Sequence, residues 1–441
     1  MTQKRSPGVK ELPKSPSQSS KSPLESVTRR RFLTGALALG ATTLGGCGQS
    51  SGQVLRLGAV TGSVPAYLPG AFRRFVRALE EQSTLDVGLE VQSLGAGEAI
   101  ARTFLQWEAT AAGQPPAGLP GWVPFFGRRE VAPTDLMLLG DRWLPTAARE
   151  GWIKALAMEL DRTEAIADRR WAAVMSGGAG DATFGDTFGM PYRWGTTVLV
   201  YRQDKEDEMG GPITDWSDLW RPQLQGKVVL LDQAREVIGA VLKSLGRSYD
   251  EDNLSVVSDL EERLRALHQQ ALFYGSTNYL QPLLLGDAWV AMGWSRDVLP
   301  ILPRRSKLAA VVPQSGSALW ADLWVRPTIE RELTASSSAS QPATAEENSD
   351  GNFLEMSQLR EEWIRFCWTS DIARRVTLQT TGAAPQFLGG DWGALENDNR
   401  NSTSDRIRFP NANVLKKCEF LLPLSDATKQ QYQDLWNGIG S

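Results

Sequence analysis

Residues 232–236 place an acid, an amide, an arginine and a second acid, Asp232, Gln233, Arg235 and Glu236, within five positions. An apolar run, Val228 to Leu231, breaks at Asp232, and Val237, Ala240, Val241 and Leu245 then recur on one helical face. The polar group therefore sits at a strand-to-helix elbow. There Asp232 is suited to cap the free N–H groups of the first helical turn. Arg235 is suited to hold the elbow by pairing with a nearby acid, and Glu236 is either a helix-surface acid or a ligand contact. A second pair lies in Leu319-Trp320-Ala321-Asp322-Leu323-Trp324, which alternates as a strand and points Trp320 and Asp322 to one side. Trp joins a wide apolar face to a single N–H donor, which suits cores and ligand platforms alike. The chain has sixteen Trp against fourteen Phe, so both uses are open to it.

Catalytic chemistry is poorly served by comparison. The sole histidine, His268, continues the charged helix Leu260 to Leu267 and reads as a solvated helix residue. One His and the Cys that remain after an N-terminal leader cannot assemble a zinc or iron set, so no metal is expected. Neither a Walker-type phosphate loop nor a glycine fingerprint after the first strand is present, and no cofactor is expected. The pattern favours a binding protein over an enzyme.

The elements that must position these residues alternate strand and helix. Strands are expected at 54–59, 135–139, 197–201, 227–231 and 288–292, and Ala71, Phe72, Phe75, Val76 and Leu79 mark one face of a helix. This is an α/β pattern with mainly parallel sheets. Asp215 to Trp220 reads as a fold-defining turn and helix start. Leu359, Trp363, Phe366 and Cys367 recur at helical spacing, Ser370 before Asp371 resembles an N-cap, and 428–436 suggests a terminal helix. Residues 109–133 are rich in Gly and Pro and read as loop, while 333–351 are polar and of low complexity and read as a disordered surface insertion.

The first 46 residues read as an address. Arg29-Arg30-Arg31-Phe32-Leu33 is a twin-arginine export pattern, and the apolar stretch from Gly35 to Gly46 is too short to span a bilayer. Leu44-Gly45-Gly46-Cys47 resembles a lipobox, which would lipidate Cys47 and tether the protein to a membrane surface. Residues 1–46 carry a net +6 and leave −10 on the remainder, a balance that argues against nucleic acid and is compatible with cationic solutes. About 395 residues follow Cys47, enough for two lobes. Cys367 and Cys418 are expected as free thiols.

Four blocks carry a family resemblance: Met190-Pro191-Tyr192-Arg193-Trp194-Gly195-Thr196-Thr197; Ile213 to Pro222 with Gly226-Lys227; Asp232 with Ala234-Arg235-Glu236-Val237; and Met292-Gly293-Trp294 with Leu319-Trp320-Ala321-Asp322. Over roughly residues 53–390 the chain resembles the periplasmic solute-binding proteins of spermidine/putrescine ABC importers. The resemblance implies an α/β, two-lobed periplasmic-binding-protein fold of type II, a flytrap whose chain crosses between lobes. It implies one lobe at 53–195 and 323–385, interrupted by the 333–351 insertion, and another at 196–322 and 386–441.

The same resemblance implies a ligand site. Glu236, Trp294, Trp320 and Asp322 fall on family ligand positions, Gln233 falls where an acid is usual, and Thr61 matches a threonine of the first cleft loop. Departures are Val60 and Ser63 at aromatic positions, Gly140 and Arg142 where serine and tyrosine are common, and Ala383 in place of an aromatic. A one-residue shift would bring Asp141 or Trp143 to the cleft instead. A carboxylate gives an ammonium group a charge-assisted bond of about 1.5–3 kcal/mol, and an indole face adds roughly 0.5–2 kcal/mol. Two acids and two indoles would reach about micromolar affinity after ordering costs. The expected function is an exported, monomeric binding protein that carries a small cationic, polyamine-like solute to an ABC permease in the periplasm. Since Arg142 would repel an amine, a short diamine, an amino-acid-like zwitterion or an unrelated solute are further options. The alternative is a degenerate flytrap acting as an envelope scaffold.

Overall fold

The computed structural model describes residues 53–79, 87–94, 98–111, 132–156, 168–177, 187–329, 355–390, 392 and 402–439. The leader with Cys47, the insertion at 333–351 and most of the 109–133 stretch lie outside them. The described strands are β1 (Gln53–Val60), β2 (Val87–Leu94), β3 (Leu136–Gly140), β4 (Ile153–Lys154), β5 (Gly189–Arg202), β6 (Val228–Leu230), β7 (Ala271–Tyr274), β8 (Val290–Trp294), β9 (Leu308–Val311), β10 (Ala318–Pro327) and β11 (Glu419–Phe420).

Their order is β2-β1-β3-β10-β5-β8-β6-β7, with β4 and β11 on β10 and β9 on β5. Strands β1, β2 and β3 are parallel, as are β6, β7 and β8. The expectation of mainly parallel sheets holds only within those two groups. Strand β10 runs antiparallel to β3, β4 and β5, and β5 runs antiparallel to β8 and β9.

Two long strands join the groups. The first part of β5, through Thr196, pairs with β10, and the remainder, from Thr197, pairs with β8 and β9. Strand β10 reaches from β11 at Ala318 to β3 at Asp322–Val325. Between Asp322 and Leu323 its register with β5 shifts, opposite Pro191. Proline offers no N–H to the ladder, so a bulge is the local solution.

Burial follows the pattern that built the elements. The strand Leu136-Met137-Leu138-Leu139 is apolar at every position and buried throughout, as expected of a strand covered on both faces. Helix α1 (Leu68–Leu79) buries Leu68, Phe72 and Val76 at four-residue spacing. It packs on helix α2 (Met356–Trp368), where the Phe72 ring meets Trp363 edge-on at 5.2 Å. Cys367 of α2 is buried, and neither it nor Cys418 is in a disulfide.

The turn at 215–220 is fold-defining in the expected way. Asp215 and Asp218 form a capping box over a short 3-10 helix, and the Trp216 indole donates to the Gly316 carbonyl at 2.8 Å. The helix after Thr369 begins at Ser370, so the cap lies one residue earlier than expected. His268 is exposed on its helix, with Nδ1 3.2 Å from the Tyr274 hydroxyl. The terminal helix spans Asp426–Asn437.

Candidate functional site

The elbow after β6 starts helix α3 (Ala234–Ser244) at Gln233. Asp232 does not cap it, contrary to expectation: the N-cap residue is Gln233 and no side chain bonds the first-turn N–H groups. Asp232 instead accepts at its carbonyl from Ser276 Oγ at 3.3 Å. Arg235 does hold the elbow, donating to Asp250 at 2.6 Å and to the Leu422 carbonyl at 3.0 Å. That partner leaves burial in command, and the Asp250 carboxyl is pushed up to about 6.

Four of the six residues implied as ligand contacts come together where β5, β8 and β10 run side by side. Glu236 is 2 % exposed and accepts two bonds, from Thr197 Oγ1 at 3.0 Å and from the Trp294 indole N–H at 2.9 Å. Both donors are neutral. Trp294, the last residue of β8, also donates its backbone N–H to the Tyr279 hydroxyl at 3.1 Å, and that hydroxyl donates to Asp297 at 2.8 Å.

Trp320 and Asp322 lie on one side of β10, as strand alternation requires. Gly195 makes room for Trp320: a Cβ at Gly195 would stand 2.5 Å from the indole ring and from Ser295 Oγ. The indole N–H donates to Ser295 Oγ at 3.2 Å, and the same oxygen accepts from the Thr196 backbone at 3.1 Å. Asp322 is 6 % exposed and accepts from Arg193 Nε at 2.8 Å, its register partner on β5. Arg193 in turn donates to Thr381 Oγ1 at 3.2 Å.

A second guanidinium covers the indoles. Arg296 lies 5.0 Å from the Trp294 ring centre and 5.4 Å from that of Trp320, within cation–π range of both. Its nearest acid, Asp297, is at 4.0 Å. Neither Arg193 nor Arg296 was apparent as a site residue from the sequence. Arg193 stood in view inside the Met190–Thr197 block, but its partner is fixed only by the register of β5 on β10.

Gln233 and Thr61 stand apart from this cluster. Gln233 accepts from Arg142 Nη2 and donates to Ser276 Oγ at 3.4 Å. The Arg142–Gln233 contact joins the turn after β3 to the elbow after β6. Thr61 is exposed in the turn after β1 and, among the described residues, has no hydrogen bond to the four. Ser63 is buried, and its carbonyl accepts from the Tyr192 hydroxyl at 2.9 Å. Ala383 pairs by backbone with Trp194 at 2.8 Å in each direction.

Beside the Arg142–Gln233 contact lies a cavity of about 580 Å³. Its charged and amide lining comprises Asp141, Arg142, Arg149, Gln233, Arg235, Lys429 and Gln433. Burial pushes the Asp141 carboxyl up to about 7, although a hydrogen bond from the Ala321 backbone and the Arg142 charge pull it down. The residue as a whole retains some solvent contact. Among the described residues no group of three metal-binding side chains occurs, and no helix is long and apolar enough to cross a membrane.

Residues 129–340 match the bacterial extracellular solute-binding protein family. The spermidine/putrescine-binding periplasmic protein of Salmonella typhimurium is 26% identical over 254 residues, covering 57% of this chain and 64% of that protein. The putrescine/cadaverine-binding protein of Pseudomonas aeruginosa is 28% identical over 148 residues, covering 31% of this chain and 42% of its own length. The chain thus spans a little under two thirds of the first relative and less than half of the second. A solved structure of a spermidine/putrescine ABC transporter substrate-binding protein from Streptococcus pneumoniae superimposes with a TM-score of 0.62 at 18% identity, covering 88% of this chain and 98% of that one. A Treponema pallidum lipoprotein structure gives 0.55 at 15% identity, over 88% and 99%. These likenesses identify the fold as the two-lobed, type II periplasmic-binding-protein architecture, and the relatives are binding proteins. Over residues 129–340, a little under half of its length, the chain is thus similar to bacterial extracellular solute-binding proteins, and its fold agrees with that likeness.

Proposed function

We propose that this protein binds a small amine-bearing solute between its two lobes and delivers it to an ABC permease. The observation that carries the reading is the convergence of Glu236, Trp294, Trp320 and Asp322 beside the strands that run from one group to the other. In the present arrangement Arg193 neutralises Asp322 and Arg296 covers both indoles. Closure of the lobes is a population shift, which a solute drives only by contacting both sides. The lobes in this reading comprise 53–195 with 323–385 and 196–322 with 386–441, and Thr61 and Gln233 join the site on closure.

The same proposal includes export by the twin-arginine route, lipid attachment at Cys47, a periplasmic location and a monomeric state. Mass spectrometry of the membrane fraction tests the lipid. The main test is a Trp-fluorescence titration with putrescine, spermidine and a panel of amino acids. A saturable change with at least one of them is expected; no change in emission or melting temperature at millimolar solute overturns the binding reading.

A further inference from the structure

We infer that the solute carries a carboxylate as well as an amine, and so is an amino-acid-like zwitterion in preference to a di- or polyamine. This rests on the reading above that the protein binds a solute between its lobes, and it moves the contacts from the indole cluster to the adjoining cavity. Each acid of the indole cluster already has its partners. Asp322 is held by Arg193 at 2.8 Å with both side chains nearly closed to solvent, at 9 % and 5 % exposure. Glu236 is enclosed by two neutral donors. The cation seat over Trp294 and Trp320 is filled by Arg296.

The open volume tells the other half. In the cavity of about 580 Å³, a size suited to a small molecule, one acid, Asp141, lines the wall together with Arg142, Arg149, Arg235 and Lys429. Arg235 is committed to Asp250 and to two carbonyls. Arg149 and Lys429 are paired with Glu150 and Asp426, acids that are themselves well exposed. Arg142 is bonded to the neutral amide of Gln233, with the Asp141 carboxyl alongside. A doubly charged diamine in this cavity meets an excess of like charge. A zwitterion sets its carboxylate on the planar Arg142 fork, which suits two parallel hydrogen bonds, and turns its ammonium group to Asp141, which ionises beside it.

The test is calorimetry on the full chain with a matched pair of equal length, 1,4-diaminobutane and 4-aminobutanoate, together with spermidine and a panel of α-amino acids. We expect the aminocarboxylates as a class to bind at least about tenfold tighter than the diamine. Arg142→Ala should lose about tenfold or more for an aminocarboxylate without weakening the diamine, and Arg142→Lys should recover part of the loss. Arg142 is exposed, and circular dichroism checks that both variants fold. If the diamine or spermidine binds as tightly as any aminocarboxylate, or if Arg142→Ala leaves the preference intact, the inference fails while solute binding stands. If no probe binds, both fail together.

Discussion

Two charged regions meet at one point of the sheet, where Asp322 of β10 pairs with Gly140 of β3, yet they are built in opposite ways. On one side the Arg193–Asp322 pair and Glu236 are buried with hydrogen-bond partners, and Arg296 lies over the Trp294 and Trp320 rings. On the other side Arg142 and Asp141 face a cavity. Buried charge is tolerated only with a partner, because desolvation costs several kcal/mol per ion. Charge beside open volume has no such constraint. Under the inference drawn above, the buried residues serve as scaffold and the recognition role passes to their neighbours at the cavity.

The sharpest way to break this contrast is to unpair the buried side. Asp322→Ala or Arg193→Ala alone should destabilise by about 3–5 kcal/mol in chemical denaturation, since each strands an ion. Arg193→Met with Asp322→Leu should recover most of that loss. A single variant with native stability would show the pair to be solvated. Next in size, Glu236→Ala removes the acceptor for Thr197 and the Trp294 indole and should cost about 2–3 kcal/mol, with Glu236→Gln milder.

On the open side, Gln233→Ala should change stability by less than about 0.5 kcal/mol, because its bond to Arg142 is exposed. A larger loss would mean that the contact holds the two strand ends together. The smallest effect concerns pH. Asp141 has a folded pKa raised above its unfolded value, so the folded state retains its proton longer and loses stability as pH climbs from about 4 to about 7. Solvent contact at the residue limits this to on the order of 1 kcal/mol. Comparison of melting temperatures for wild type and Asp141→Asn across that window checks it: the wild type should fall relative to the variant as pH rises.

Much of the fold was legible in the sequence. Strands expected at 54–59 and 135–139 appear at Gln53–Val60 and Leu136–Gly140, because apolar alternation and apolar runs translate directly into local structure. Strand β5 was harder. Its first half contains Pro191 and Gly195, which interrupt the pattern, and only pairing with β10 makes it a strand from Gly189. The antiparallel crossings escaped notice for the same reason, since pairing direction is a long-range property.

The candidate site divides likewise. The alternation that sets Trp320 and Asp322 on one side, and the role of Arg235 in tying down the elbow, followed from the residues themselves. The missing cap at Asp232 did not. A side chain at such an elbow chooses between helix N–H groups and solvent according to what surrounds it, and Asp232 is exposed.

By its own composition and spacing, the chain determined where strands and helices form and which acids and indoles are available, because those depend on neighbours a few residues away. Tertiary structure alone decided that Arg193 meets Asp322 across 129 residues of sequence, that Arg296 lies over two indoles, and that Arg142 reaches Gln233. Electrostatic partnership depends on distance in space, and a chain folded into crossing strands sets that distance independently of separation along it.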